Sequence, residues 1–131
     1  MSTPKPTIQV REVKIVGIPV TDQDRALSFY VDTLGFDKRL DVPISAGKRW
    51  IVLGTPQGTA TIALVASGDG VPAGVETGIR LISNDVDTDY AALQAGGVDT
   101  GEILRWPGVP PMFAFRDQDG NGLELVEEAR A

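Results

Sequence analysis

The chain has 131 residues and a net charge of −6, and it contains neither histidine nor cysteine. This length fits one domain, and 42% hydrophobic with 23% charged residues is typical of a globular protein. Without these two residue types, disulfides, thiol nucleophiles and Ser-His-Asp or Cys-His catalysis are excluded. The negative charge argues against nucleic-acid and anionic membrane partners. Residues 1–7 have no apolar run, so we expect no signal peptide and a cytoplasmic protein.

The first half of the sequence predicts a strand, a helix and three further strands. Residues 13–20 alternate and are rich in β-branched side chains, as in a strand. Thr21 or Asp22 then caps a helix that ends at Gly35. Strand-like segments follow at 36–42, 49–53 and 59–65, the last two joined by a turn at 56–58.

The second half repeats this order after a glycine-rich linker. A strand at 78–83 precedes a helix that Asp85 or Asp87 caps and that runs through Gln94. Strands are then expected at 98–104, 112–116 and 122–126. Asp22 and Asp85 are 63 positions apart, which favours a duplicated unit over a generic α+β domain with coincidental symmetry.

Two local sequences resemble the vicinal oxygen chelate superfamily, the group of glyoxalases, bleomycin-resistance proteins and extradiol dioxygenases. They are VGIPVTD at 16–22 with ALSFY at 26–30 and LGF at 34–36, and the closing FRDQDGNGLELVE at 115–127. The resemblance implies an α+β fold in which tandem βαβββ units form a cupped mixed sheet with helices on its convex face. We therefore expect an extended or disordered lead-in at 1–9 and one domain at 10–128. It comprises unit one at 10–66, a linker at 67–74 and unit two at 75–128.

Metal-dependent members of that family hold an ion with one residue from the first and last strand of each unit. Carried across by position, these ligands fall on Ile15, Ala63, Gly78 and Glu124. Only Glu124 offers a side-chain donor, whereas a divalent ion needs about three or four. We therefore expect no metal and no cofactor.

Strand alternation then predicts which side chains face the cup. The candidate ligand-binding residues are Ile15, Gly17, Thr61, Ala63, Gly78, Arg80, Trp106 and Glu124. Arg80 could bind a ligand carboxylate or planar amide, or it could only form a salt bridge with Glu124. Trp106 could stack on a planar ligand or pack at a dimer contact, and Trp50 is interpreted as core or strand-face packing.

These features favour a metal-independent protein that binds a small apolar or aromatic molecule as a homodimer, like the drug-sequestering members of the family. An alternative is a lyase, isomerase or dioxygenase relative in which Glu124 and Arg80 are catalytic, with or without a recruited metal. A domain with a closed core that binds another protein is the third possibility.

Overall fold

The computed structural model describes residues 7–68 and 71–128, which form two mixed β-sheets packed against two helices. The strands are β1 (Ile15–Val20), β2 (Asp37–Ser45), β3 (Lys48–Gly54), β4 (Thr61–Ala66), β5 (Glu76–Ser83), β6 (Met112–Arg116) and β7 (Gly122–Glu127). The helices are α1 (Gln23–Leu27), which continues as a π-helical turn at Ser28–Thr33, and α2 (Val86–Ala95). The α+β class is confirmed. Most of the predicted lead-in, residues 1–6, lies outside the described residues, as do positions 69 and 70 of the linker.

The sheets have the strand orders β1-β4-β3-β2 and β5-β7-β6. Each contains one parallel pair, β1 with β4 and β5 with β7, and the other neighbours are antiparallel. The strands of the two halves are therefore divided between a four-stranded first sheet and a three-stranded second sheet.

Both helices begin at the aspartates that the sequence indicates. The Asp22 carboxylate accepts hydrogen bonds from the backbone N–H groups of Asp24 and Arg25, and Asp85 accepts one from Thr88. These bonds satisfy donors that have no partner inside the helix. No helix in the described residues is long and apolar enough to cross a membrane.

A buried glutamine ties the start of α1 to the first sheet. Gln23 Nε2 donates to the carbonyl oxygens of Arg49 at 2.7 Å and Leu64 at 2.8 Å. Its Oε1 accepts from the Arg49 N–H at 3.1 Å. One side chain thus satisfies backbone groups of β3 and β4 and fixes the helix on that face.

The helix-facing sides of both sheets share one hydrophobic core. Its largest fully buried members include Tyr30, Phe113 and Phe115. The Tyr30 ring meets Phe36 edge to face, with centroids 6.0 Å apart. Because the core draws on both sheets, the two halves of the chain are packed as one structure.

A buried polar network in the turn 117–121 also joins the two halves. Asp117 Oδ2 accepts from the Tyr30 hydroxyl at 2.7 Å and from Asn121 Nδ2 at 2.9 Å, while Asp117 Oδ1 accepts from the N–H groups of Asp119 and Asn121. Asn121 Nδ2 also donates to the Pro19 carbonyl at 2.8 Å. Burial, with a smaller contribution from the bond to Asp117, raises the pKa of Tyr30. The hydroxyl is therefore a proton donor at neutral pH.

Further contacts hold the same turn against the start of α1. The Asp119 carboxylate accepts from the backbone N–H and the hydroxyl of Thr21, and Arg25 Nη2 donates to the Gln118 carbonyl at 2.6 Å. Burial alone would raise the pKa of Asp119, but the bonds from Thr21 and Gln118 together with the charge of Arg25 outweigh it, and the pKa is lowered. The turn is thus fixed to the first half by backbone and side-chain bonds.

The strand predicted at 98–104 does not form. This segment makes only isolated bridges to β6, at Thr100 with Phe115 and at Leu104 with Met112. The pairing slips by one residue between these bridges, and Gly101 N–H bonds to the Ala114 carbonyl between them. The slip interrupts the regular ladder, so the segment follows the sheet edge as an irregular chain.

Candidate functional site

The first sheet has a largely apolar face on the side opposite the hydrophobic core, here called the first open face. Gly17, Ala63, Val52 and Leu40 lie in register across its four strands. The next row brings together Pro19 with Val65 and Val42 with Trp50. Ile18, Ile62 and Leu64 point to the other side and are buried. These two rows are apolar, and the small residues Gly17 and Ala63 lie side by side in the first of them.

The structure places Ile15, Gly17 and Thr61 at exposed or half-buried positions on the first open face. Ala63 lies on the same face, but its neighbours bury it completely. A ligand over this row would therefore meet the flanking side chains first. Their role in binding stays a prediction.

Trp50 is a stronger candidate for ligand contact than the sequence indicated. It lies on the first open face at a half-buried position, opposite Val42. The alternation of side chains along β3 could have predicted this position. Trp50 and Val52 lie on the same side of the strand, and Val52 pairs with Ala63. Trp50 is therefore the aromatic side chain best placed to stack on a molecule lying there.

The second sheet has an open face with a polar end, here called the second open face. Its three rows run across β5, β7 and β6: Glu76, Gly122 and Arg116; Arg80, Glu124 and Ala114; Ile82, Val126 and Met112. The opposite side contains the buried Phe113, Phe115, Leu123 and Leu125. Charged residues thus occupy two adjacent rows, and apolar residues occupy the third.

Arg80 and Glu124 form the predicted ion pair in the middle row. Arg80 Nε lies 3.5 Å from Glu124 Oε2, and the two side chains are 63% and 39% exposed. Arg80 Nη1 also lies 3.4 Å from the Gly78 carbonyl oxygen. The pair points away from the core, so both groups are accessible to a ligand.

A bulge in β5 opens a recess beside this pair. Three residues, 77–79, lie opposite Leu123 alone, and Gly78 has a φ of +73°. Residues with a side chain rarely adopt this backbone conformation, which explains the glycine at this position. The recess measures about 170 Å³ and is lined by Glu76, Gly78, Ile79, Ala114, Gly122, Leu123 and Glu124. It brings together Gly78 and Glu124, two of the predicted site residues.

A second ion pair, Arg116 with Glu76, was not predicted from the sequence. It crosses directly above Gly122, where an added Cβ would collide with the Glu76 carboxylate and lie 2.8 Å from Arg116 Nη1. Arg116 Nη1 also donates to the Gly120 carbonyl at 3.2 Å. The sequence indicated only the side of the strand on which Arg116 lies, because Arg116 and Ala114 alternate with the core residue Phe115.

Trp106 lies outside the lining of this recess. It is 56% exposed on the loop before β6, where the Val109 N–H donates to the Trp106 carbonyl and closes a turn. Ligand stacking and a dimer contact both stay predictions for this residue.

The residues at the metal-ligand positions do not fit a metal ion. Ile15, Ala63 and Gly78 have no side-chain donor, and Glu124 is already paired with Arg80. Within residues 7–68 and 71–128 there is no group of three or more His, Cys, Asp or Glu side chains that could hold an ion.

Sequence comparison identifies the family. Residues 12–125 match the profile of the Glyoxalase/Bleomycin resistance protein/Dioxygenase superfamily. The chain belongs to this superfamily. It is also 30% identical over 128 residues to the uncharacterized protein YurT of Bacillus subtilis (strain 168), covering 89% of this chain and 99% of that protein.

Two crystal structures are similar to nearly the whole of this chain. The member from Sphaerobacter thermophilus DSM 20745 is 35% identical with a TM-score of 0.84, covering 92% of this chain and 100% of that one. TnmS3, an antibiotic binding protein from Streptomyces sp. CB03234, is 32% identical with a TM-score of 0.81, covering 94% and 100%. These two proteins therefore share the fold of this superfamily member along nearly its whole described length.

Proposed function

We propose that this superfamily member reversibly binds a small apolar or aromatic molecule on its open sheet faces, without a metal ion. The observation that carries the proposal is the pair of open faces. One is apolar with Trp50 at its surface, and the other supplies Arg80 and Glu124 as orienting polar groups. Apolar walls with a few polar groups are typical of small-molecule sites. The similarity to TnmS3, an antibiotic binding protein, supports the same reading.

The donor set supports the proposed metal independence. Three of the four ligand positions lack a donor, and a single carboxylate paired with an arginine binds a divalent ion weakly. Elemental analysis of the purified protein is expected to find no stoichiometric zinc, iron, manganese or nickel. Adding zinc or nickel should leave the melting temperature unchanged, since only an ion that binds the native state raises it.

The protein is proposed to act as a homodimer in the cytoplasm. Ile15, Leu40, Val42 and Val65 are each more than a third exposed on the first open face, and a contiguous apolar surface of this kind is stabilised by a partner. A second copy covering it would complete a closed cup. Light scattering at micromolar concentration tests this, and a clean monomer of 13.9 kDa contradicts it.

A thermal-shift screen of aromatic and apolar compounds tests the proposed activity directly. Hits should raise the melting temperature in proportion to the logarithm of saturation. Trp50→Ala should weaken binding, whereas Trp106→Ala provides a matched control for loss of a tryptophan outside the first open face. If no compound shifts the wild-type protein, the proposal is wrong.

Recovery of the ligand separates binding from catalysis. The bound compound should be recovered chemically unchanged after prolonged incubation, as mass spectrometry can check. A new product whose formation depends on Glu124 would support the alternative, a superfamily enzyme in which this carboxylate acts as a base.

A further inference from the structure

The second open face carries two ion pairs of opposite polarity side by side. In the first row the arginine lies on β6 and the carboxylate on β5, as Arg116 with Glu76. In the middle row the arginine lies on β5 and the carboxylate on β7, as Arg80 with Glu124. Donors and acceptors therefore alternate along both directions of the face, and the four charges cancel.

The recess is lined by both carboxylate residues, Glu76 and Glu124, and each of them is paired with an arginine outside the lining. Gly78 and Gly122 line it without side chains of their own, and the Glu76–Arg116 pair lies over Gly122. The volume of about 170 Å³ compares with roughly 150 Å³ for a protein cavity that holds benzene. One ring of an aromatic compound would fit, and a second fused ring would lie outside the recess.

Both ion pairs are open to exchange with a ligand. The Arg116 and Glu76 side chains are 42% and 73% exposed, similar to the pair in the middle row. Exposed ion pairs contribute little to stability, so a bound group can replace part of each pair at small cost to the fold.

We infer that these two pairs form one recognition subsite that selects uncharged compounds carrying a planar amide-type edge on an aromatic ring. This inference rests on the proposed function and names its ligand class. The carbonyl of such a compound accepts from an arginine while its N–H donates to the neighbouring carboxylate. Neither protein charge loses its compensation.

Charged compounds of the same shape are disfavoured by the same arrangement. A ligand carboxylate that binds Arg80 faces Glu124 and Glu76 and leaves one of them unpaired in the recess. A cation leaves an arginine unpaired. An unpaired charge at a partly desolvated site is costly, which makes the neutral compound the best match.

Three probes of equal shape test this: 2-naphthamide, 2-naphthoate and 2-naphthamidine, titrated at pH 7 and followed by amide NMR shifts. The wild-type protein is expected to bind 2-naphthamide about tenfold more tightly than either charged probe. The largest NMR shifts should fall on Gly78 and Gly122.

Charge-removing variants sharpen the test. Glu124→Gln should shift the preference towards 2-naphthoate, and Arg80→Gln should shift it towards 2-naphthamidine. Asp32→Asn, which removes an exposed carboxylate from the π-helical turn, is the control and should leave the order of the three probes unchanged.

The outcomes separate the inference from the proposed function. Equal or tighter binding of a charged probe by the wild-type protein overturns the inference. It is also overturned if the order of the three probes is the same in both charge variants as in the wild-type protein. Either result leaves the proposed function standing. If neither the probes nor any aromatic compound binds, the proposed function fails and the inference fails with it.

Discussion

The β6–β7 hairpin carries two carboxylates with opposite surroundings. Asp117 at the turn is buried and accepts four hydrogen bonds within the protein. Glu124, seven residues later, is 39% exposed and has one arginine at 3.5 Å. The first has no accepting capacity left for a ligand, whereas the second retains most of its own.

This difference separates a carboxylate that is fully bonded within the fold from one that stays accessible to a ligand. A carboxylate whose lone pairs are all used by backbone N–H groups and buried hydroxyls fixes the fold. One that meets a single, exposed cation remains available. Stability measurements and binding measurements should therefore respond to different residues.

The largest expected effect is that of Asp117→Ala. It removes the acceptor of the Tyr30 hydroxyl, of one Asn121 Nδ2–H bond and of two backbone N–H groups. We expect a loss of about 3 kcal/mol or more in the free energy of unfolding, measured by urea denaturation. Asp32→Ala is the control. A loss below about 1 kcal/mol would remove the structural role assigned to the turn.

Tyr30→Phe should have a smaller effect, because Asp117 keeps three of its four donors. The expected loss is about 1–2 kcal/mol in the same denaturation assay. Tyr90→Phe is a matched control, since the Tyr90 hydroxyl makes an exposed bond with Gln94. Equal effects of the two variants would contradict the distinction between buried and exposed bonds.

Stability should also fall in acid through Asp41. Hydrogen bonds from Arg49, outweighing burial, lower the pKa of Asp41 from 3.8 to about 2. A carboxylate with a lowered folded-state pKa stabilises the protein above its unfolded pKa and loses this contribution as pH falls towards 2. The stability difference between wild type and Asp41→Asn should therefore shrink between pH 5 and pH 2. A constant difference over that range would show that the ion pair contributes nothing.

The smallest effect on stability is expected for Arg80→Ala. An exposed pair contributes about 0–1 kcal/mol, so unfolding should barely change. Binding of an aromatic amide should nevertheless weaken by about 1.5–3 kcal/mol, the range for a hydrogen bond to a charged group. A clear loss of stability with unchanged binding would assign Arg80 to the fold alone.

Local patterns in the sequence predicted the parts of the fold that depend on near neighbours. Asp22 and Asp85 cap their helices as their spacing indicates, and alternation placed Arg80 and Glu124 on one face. Both outcomes follow from the periods of helix and strand.

Other features depend on partners that are distant in sequence. The Glu76–Arg116 pair joins residues 40 positions apart across a strand between them, and Asp117 meets Tyr30 only after both halves are packed. The irregular segment at 98–104 results from a one-residue slip against β6, which its own composition does not reveal. A single sequence gives no register between such elements.

The contacts of the turn 117–121 have a consequence for the order of folding. Residues 19–30 are synthesised early, yet the Tyr30 hydroxyl and the Pro19 carbonyl receive their partners from residues 117 and 121. Contacts over such long separations slow folding, because a large loop must close before they form. In a nascent chain these two groups of the first half therefore lack their partners until the β6–β7 hairpin has left the ribosome.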